Sequence, residues 1–430
     1  MANFLGMRGS GSWSDDERPR SWRETILYLE PNGDVPLTAI MSKARSKKVD
    51  DPEHNYWTQS LQARRGTVTG VYTDVGLSSA YVSGGVVGQT IYCKMAEADA
   101  FHFVAGKQVL LRLSTDYRLD VVAKVVGVGR NGASSYIAAK LLEPDDNGVG
   151  KTLANADVAM VAGDMHPEGS TPPVPLMYDP VKVTQYTQIF QNSLAQTRTG
   201  METHLRTPDQ IQRARKQCLL YHGIDMEMAM LWSVPREWIG ENGQKERSMR
   251  GLVSFVKEYA AANVTDYTLA AGYAGQSWIA AGEEWLDTTL EQIFRYGKTE
   301  KLALCGSGAL LGINRLAKSS GQFTFTSKTT SYGIKVREWE TPFGTLYLKR
   351  HPLFSYEATN RNSMLIVEPD QFVYNYITDT VYHPDDSLKK GGQENIDGIF
   401  EYYLTECDIT VDYPMTMGYL NGVGLDNALA

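Results

Sequence analysis

The first sixty residues constrain this chain more than any other stretch. They are polar and of mixed charge, with Asp15-Asp16-Glu17-Arg18 and the run Lys43-Ala44-Arg45-Ser46-Lys47-Lys48, followed closely by Asp50, Asp51 and Glu53. Only short apolar clusters interrupt them, at residues 26–29 and 37–41. A segment of this kind buries too little apolar surface to offset its conformational entropy, so it makes no core of its own. It is either a flexible tail or an arm that covers its clusters against another surface.

The remainder is of ordinary globular composition. The 430 residues are 42% hydrophobic and 21% charged, and at about 150 residues per domain they suggest roughly two or three domains. The net charge of −8 excludes a polycationic nucleic-acid binder, which needs a basic surplus. Cys93, Cys218, Cys305 and Cys407 stand far apart without a C-x-x-C pair. That spacing argues against a disulfide scaffold or a structural zinc site. The opening Met1-Ala2-Asn3-Phe4-Leu5-Gly6 lacks the charged start and apolar run of a signal peptide. The longest uncharged stretch, residues 75–93, is rich in glycine and serine and reads as β-structure and turns, because a membrane span needs about twenty mostly apolar residues. The expectation is a soluble protein made in a reducing compartment.

Local patterns outline the elements. Residues 67–73 alternate with period two, residues 108–113 form a second strand, and residues 121–128 pair with 135–142 across Arg130-Asn131-Gly132, Asn-Gly being the strongest short hairpin signal. Thr207-Pro208-Asp209-Gln210 has the chemistry of a helix start. From it a helix of about 40 Å is predicted to run to residue 233, with Leu220, Ile224, Met228 and Leu231 as its apolar stripe and Pro235 as its stop. Residues 283–296 form an amphipathic helix with Gly297 just past its end. Residues 301–305 make a strand, 334–340 and 345–349 a hairpin, and 402–413 a last strand.

Four features invite a catalytic reading and each has a plainer one. Cys305-Gly306-Ser307-Gly308-Ala309-Leu310-Leu311-Gly312 offers strand, glycine turn and helix start, the arrangement that can seat a phosphate. Its spacing is one residue too long for the dinucleotide fingerprint, and no acidic residue follows about twenty positions on, which leaves a tight strand-to-helix connection. Cys305 has no histidine in a recognisable partner pattern, so it reads as a buried small residue rather than a nucleophile. Asp164-Met165-His166-Pro167-Glu168 and His383-Pro384-Asp385-Asp386 mix imidazole with carboxylates but lie in proline-bearing loops, without the helical register that aims two ligands at one ion. The basic run at residues 43–48 could meet phosphates, yet the acids after it cancel most of its field. No catalytic constellation, cofactor site or metal site emerges, so the surface itself is the candidate function.

The order of the pieces then resembles a known family. Pro36-Leu37-Thr38-Ala39-Ile40-Met41-Ser42-Lys43, with Asp51-Pro52-Glu53-His54-Asn55-Tyr56-Trp57, is similar to the N-terminal signature of tailed-phage major capsid proteins. The similarity returns at Glu168-Gly169-Ser170, Tyr186-Thr187-Gln188-Ile189-Phe190, Arg247-Ser248-Met249-Arg250-Gly251-Leu252 and Thr341-Pro342-Phe343-Gly344-Thr345.

The resemblance implies an α+β subunit of the Hong Kong 97-type capsid fold. Its parts would be an N-terminal arm (1–60), a β-rich extended loop (61–165), a peripheral domain with a spine helix (166–245) and an axial domain (246–330). A peripheral hairpin with remaining axial segments (331–400) and a C-terminal peripheral strand (401–430) would follow, hairpin and strand together closing the peripheral sheet. Such a subunit assembles with itself into hexamers and pentamers of an icosahedral or prolate head around double-stranded DNA, in the virion, after assembly in the host cytoplasm. Portal and separate scaffolding or decoration proteins are its expected partners, with non-specific DNA contact on the inner face and no membrane. The aromatic side chains Trp22, Tyr56 and Trp57 would anchor subunit interfaces. Deleting residues 1–60 would then block closed shells while leaving a folded subunit. Another self-assembling phage component, or a capsid-derived cargo compartment, is the alternative.

Overall fold

The computed structural model describes residues 36–41, 44–59, 64–145, 152–173, 175–177, 179–203, 210–320, 325–331, 334–384 and 398–429. The chain forms two compact units, one of Met1–Asn55 with Thr184–Ala430 and one of Tyr56–Val183.

The inserted unit is a closed six-stranded antiparallel barrel. Going round it, the strands are Arg65–Tyr72, Thr90–Met95, Tyr136–Leu141, Asp116–Gly129, Lys107–Leu113 and Val158–Asp164, which returns to the first. Period-two alternation fills the interior: Ile91, Cys93 and Met95 from one strand meet Val109, Leu111, Val121, Ala123 and Ile137 from others. Burying each such side chain contributes about 1.5–3 kcal/mol, and closure leaves the barrel no open edge. The expected hairpin is present, with Gly129 opposite Tyr136. Gly132 turns it at φ +52°, and Ser135 Oγ accepts the Asn131 N–H at 2.9 Å.

The larger unit holds two principal sheets. The four-stranded sheet runs Arg45–Lys48, Phe372–His383, Gly398–Val411 and Gln188–Thr197. Its first pair is parallel, Arg45 opposite Val373. The seven-stranded sheet runs Val264–Asp266, Gly418–Asn421, Met364–Val367, Glu300–Cys305, Gly344–Arg350, Ile334–Thr341 and Phe325–Ser331. The long helix Gln210–Trp232 packs on the first sheet, while Trp278–Phe294 and Ser307–Ser320 join the apolar core of the second. One cluster, including Met230, Leu231, Phe255, Phe354, Leu365 and Ile409, links helices to both sheets.

Several expectations need correction. The hairpin 334–350 does not share a sheet with the strand expected at 402–413: Gly344–Arg350 pairs with Glu300–Cys305, whereas Gly398–Val411 lies in the four-stranded sheet. The long helix ends as expected, but its buried face is Cys218, His222, Met226, Glu227, Met230 and Leu231. Leu220 and Met228, taken for the core stripe, are exposed. The inward polar groups find partners, and that removes the penalty which made the apolar stripe look like the buried one. Its proposed cap residues lie outside the described ones. The helix read from residue 283 begins at Trp278, whose N–H donates to Asp426 Oδ1 at 2.8 Å, a cap supplied from far along the chain.

The arm is part of the body over its described length. Helix Pro36–Met41 buries Leu37, Ile40 and Met41 against Met226, Met230 and Leu231, and Val49 is buried as its N–H donates to the Tyr376 carbonyl at 3.0 Å. Removing residues 1–60 would therefore open the core, contrary to the sequence reading. The apolar cluster at 26–29 lies outside the described residues.

Candidate assembly surfaces

The glycine turn after Glu300–Cys305 is filled by protein. A Cβ on Gly306 would stand 2.2 Å from the Arg361 carbonyl oxygen, one on Gly308 2.6 Å from Asn362 Oδ1, and one on Gly312 2.4 Å from Gly424 Cα. Backbone from residues 360–363 and 422–424 takes the room a phosphate would need, and the Ser307 N–H donates to Ser355 Oγ at 2.9 Å. Burial holds the Cys305 thiol far above its usual range, so no thiolate is available for attack. Asp164 pairs with Lys107 at 2.7 Å, and His383 stacks on Tyr402 with ring centres 4.7 Å apart. Among the described residues no group of three His, Cys, Asp or Glu side chains could hold a metal ion.

Buried polar groups instead lock the elements together. Glu227 Oε1 accepts the Leu37 N–H at 2.8 Å and lies 2.7 Å from His351 Nε2, so one carboxylate ties the arm, the long helix and the residue after Gly344–Arg350. His222 bridges Asn192 Oδ1 and Thr405 Oγ1, each at 2.7 Å, and burial lowers its pKa, which keeps it neutral. Lys301 Nζ donates to the carbonyls of Tyr296 (2.9 Å) and Thr416 (2.6 Å). Burial brings its pKa down to about 8, against the pull of Glu368. Asp408, fully buried, has its carboxyl pushed up to about 8 by burial. His54 Nε2 lies 3.4 Å from it, and burial together with the charge of Lys47 lowers the imidazole pKa. The distance suggests an ion pair, but both shifts favour the neutral forms, because desolvation outweighs attraction here.

The outer surface carries apolar groups that the subunit does not cover. Strands Arg236–Ile239 and Lys245–Ser248 form a separate two-stranded ribbon with Trp238 47% and Ile239 75% exposed. A ribbon of this size is at best marginally stable in water unless something packs on it. Its charged groups are satisfied locally: Glu237 binds Lys245 at 2.9 Å and Arg247 at 2.7 Å. The outer face of the long helix shows Leu219, Leu220, Tyr221 and Met228 to solvent. Of the aromatic anchors read from the sequence, Trp57 is 66% exposed on Glu53–Thr58, Tyr56 beside it is half-buried, and Trp22 lies outside the described residues. Sequence reasoning missed Trp238 and Ile239, although a Trp-Ile pair beside Gly240-Glu241-Asn242-Gly243 carries a hairpin signal of its own.

Among the described residues no catalytic constellation appears, and one ribbon and the outer face of the long helix leave apolar groups exposed. A family model described as SU10 major capsid protein matches residues 8–404. The chain belongs to that family. It is accordingly a phage major capsid protein, a structural component of the virion that assembles with copies of itself, and not an enzyme. The major capsid protein of Pseudomonas phage PaMx41 is 25% identical over 412 residues, covering 94% of this chain and 89% of that one. Among solved structures, a chain from Microbacterium phage Oxtober96 overlaps with a TM-score of 0.42 at 9% identity, covering 94% of this chain and 96% of that one. A chain of the native GTA particle capsid overlaps with a TM-score of 0.44 at 7% identity, over 96% and 97%.

Proposed function

We propose that this capsid subunit forms hexamers and pentamers that close an icosahedral or prolate head around double-stranded DNA. The observation that carries the reading is the ribbon Arg236–Ile239/Lys245–Ser248, which leaves about half of Trp238 and most of Ile239 exposed. Burying such anchors between copies supplies contact area without a larger core. Repetition of one contact by rotation closes rings.

In the parts of the Hong Kong 97-type fold, residues 1–60 serve as the arm and 61–165 as an extended loop enlarged into a barrel. Residues 166–245 with the spine helix, and the strands Phe372–His383 and Gly398–Val411, serve as the peripheral domain. Residues 246–330 and most of 331–400 serve as the axial domain. Trp57, with Tyr56 and Trp22, anchors neighbouring copies. Portal and separate scaffolding or decoration proteins complete the head. The net charge of −8 suits an inner wall that touches packaged DNA without holding it.

Negative-stain microscopy of the concentrated protein, alone and with its scaffold, tests the assembly. Closed shells or rings of five or six are expected. A strictly monomeric protein under both conditions would overturn the reading.

A further inference from the structure

The barrel unit carries two apolar features that differ in shape. One is the loop of residues 73–89, which presents Val82 (75% exposed), Val86 and Val87 (each 61%) to solvent. The loop is pinned from below. Tyr81 Oη donates to Asp145 Oδ2 at 2.6 Å and accepts the Gly85 N–H at 2.8 Å, and the Gly88 N–H donates to the Leu141 carbonyl at 2.9 Å. Asp74 accepts the Ser79 N–H at 2.7 Å. Leu77 holds φ +53°, a left-handed conformation that an L-residue keeps only where its surroundings impose it. The valines therefore sit on a fixed platform and lose little freedom on binding.

The other feature is a groove of about 940 Å³ between the barrel and the proline-bearing segment 167–177, lined by Phe101, Val126, Val128, Pro173 and Met177 among others. Three cationic or titratable groups, Lys124, Arg130 and His166, belong to its lining, and among the described residues no carboxylate does. Loop and groove are distinct surfaces of the barrel. The loop is bonded to Leu141, which pairs with Ala123 midway along Asp116–Gly129, and the groove is lined from Lys124 to Arg130 at the later end of that strand.

We propose that these are the two halves of a head-to-tail contact, in which the valine loop of one copy enters the groove of the next. Residues 75–89 contain no charged side chain, and Asp74 at the loop base is held ionised by its Ser78 and Ser79 hydrogen bonds. An uncharged tip with an acidic base suits a groove with basic walls. Two grooves brought together would instead oppose like charges, and two convex loops would bury little. The complementary pairing is loop with groove, a heterologous contact that propagates from copy to copy and closes only as a ring. The inference rests on the shell reading and adds which surfaces meet.

The test is a cysteine pair, Val86→Cys with Val126→Cys, in the full chain, assembled and oxidised. The native cysteines are all buried and give a low background. A ladder of more than two covalently joined chains is expected in the double variant, with none in either single variant. Shells that form normally but give no ladder would overturn the barrel contact while leaving the capsid reading intact. Dimers from Val86→Cys alone, at the rate of the double variant, would overturn it in favour of a two-fold contact. Failure to form any particle in the unsubstituted chain would sink both. As a second readout, Val126→Lys should keep the thermal midpoint of the subunit and lower particle yield at least roughly tenfold, the effect of losing about 1.4 kcal/mol. Unchanged yield would count against the groove.

Discussion

The carboxylate of Glu227 accepts the backbone N–H of Leu37 at 2.8 Å, inside a core that neither residue shares with solvent. A single acid on the long helix thereby holds the start of the arm helix, and the same oxygen lies 2.7 Å from His351 Nε2. Replacing Glu227 with Ala leaves two buried polar groups without a partner. The expected loss is about 3–5 kcal/mol, read by urea denaturation. A loss below about 0.5 kcal/mol would show that the arm docks by apolar contact alone.

Gly306→Ala places a methyl group 2.2 Å from the Arg361 carbonyl oxygen, where both sides are backbone and neither yields cheaply. A destabilisation of about 3 kcal/mol is expected, with no shift of the thermal midpoint of the unsubstituted protein by nucleotides. Stabilisation by a nucleotide would revive the phosphate reading of this turn.

Four of the six barrel strands were legible individually, whereas Thr90–Met95, Val158–Asp164 and the closure were not. Asn131-Gly132 and the alternation at residues 67–73 and 108–113 are local signals. The pairing of Arg65–Tyr72 with Val158–Asp164 joins segments that share no local pattern. The same limit explains the long helix. Its position followed from spacing and Pro235, but its buried face holds His222 and Glu227, whose partners Asn192, Thr405, Leu37 and His351 come from four distant segments. A hydropathy pattern sees the cost of burying such groups and not the hydrogen bonds that offset it. The start of Trp278–Phe294 was hidden for a related reason, since Asp426 caps it from the far end of the chain. Of the candidate assembly surfaces, Trp57 was legible as an aromatic residue in a coreless segment, whereas Trp238 became visible only as a half-exposed side chain on a separate ribbon.

Asp408 should set the pH dependence of the four-stranded sheet. Its pKa is raised from 3.8 to about 8 in the fold, so its contribution is intact below about pH 4 and is lost as pH rises through 8. His54, with its pKa lowered from 6.5, acts oppositely and loses its contribution as pH falls below 6.5. Asp408→Asn mimics the protonated acid. Its stability relative to the unsubstituted chain should improve between pH 5 and pH 8.5 by more than about 1 kcal/mol, measured by urea unfolding at both values. A difference that stays constant with pH would contradict the buried, neutral carboxyl.

Residues 56–183 expressed alone should fold. Their core is internal to the unit, and the barrel leaves no edge unpaired. A cooperative urea transition with β-type circular dichroism is the expected result, and a chain without a transition would show that the larger unit is required.

Trp238→Ser with Ile239→Ser removes the exposed apolar groups together with the Trp238 Nε1 hydrogen bond to Glu246 Oε2, so subunit stability should fall by no more than about 1 kcal/mol while shell yield falls roughly tenfold or more. Equal yields would assign the ribbon no part in assembly.

The parallel pairing of Arg45 with Val373 also orders events at the ribosome. Strand Arg45–Lys48 must wait until Phe372–His383 has been made before the four-stranded sheet has its outer member. The barrel, continuous in sequence, can close on the nascent chain long before that. A polypeptide still tethered to its ribosome can thus hold a finished barrel while the four-stranded sheet still lacks Arg45–Lys48 as its outer member.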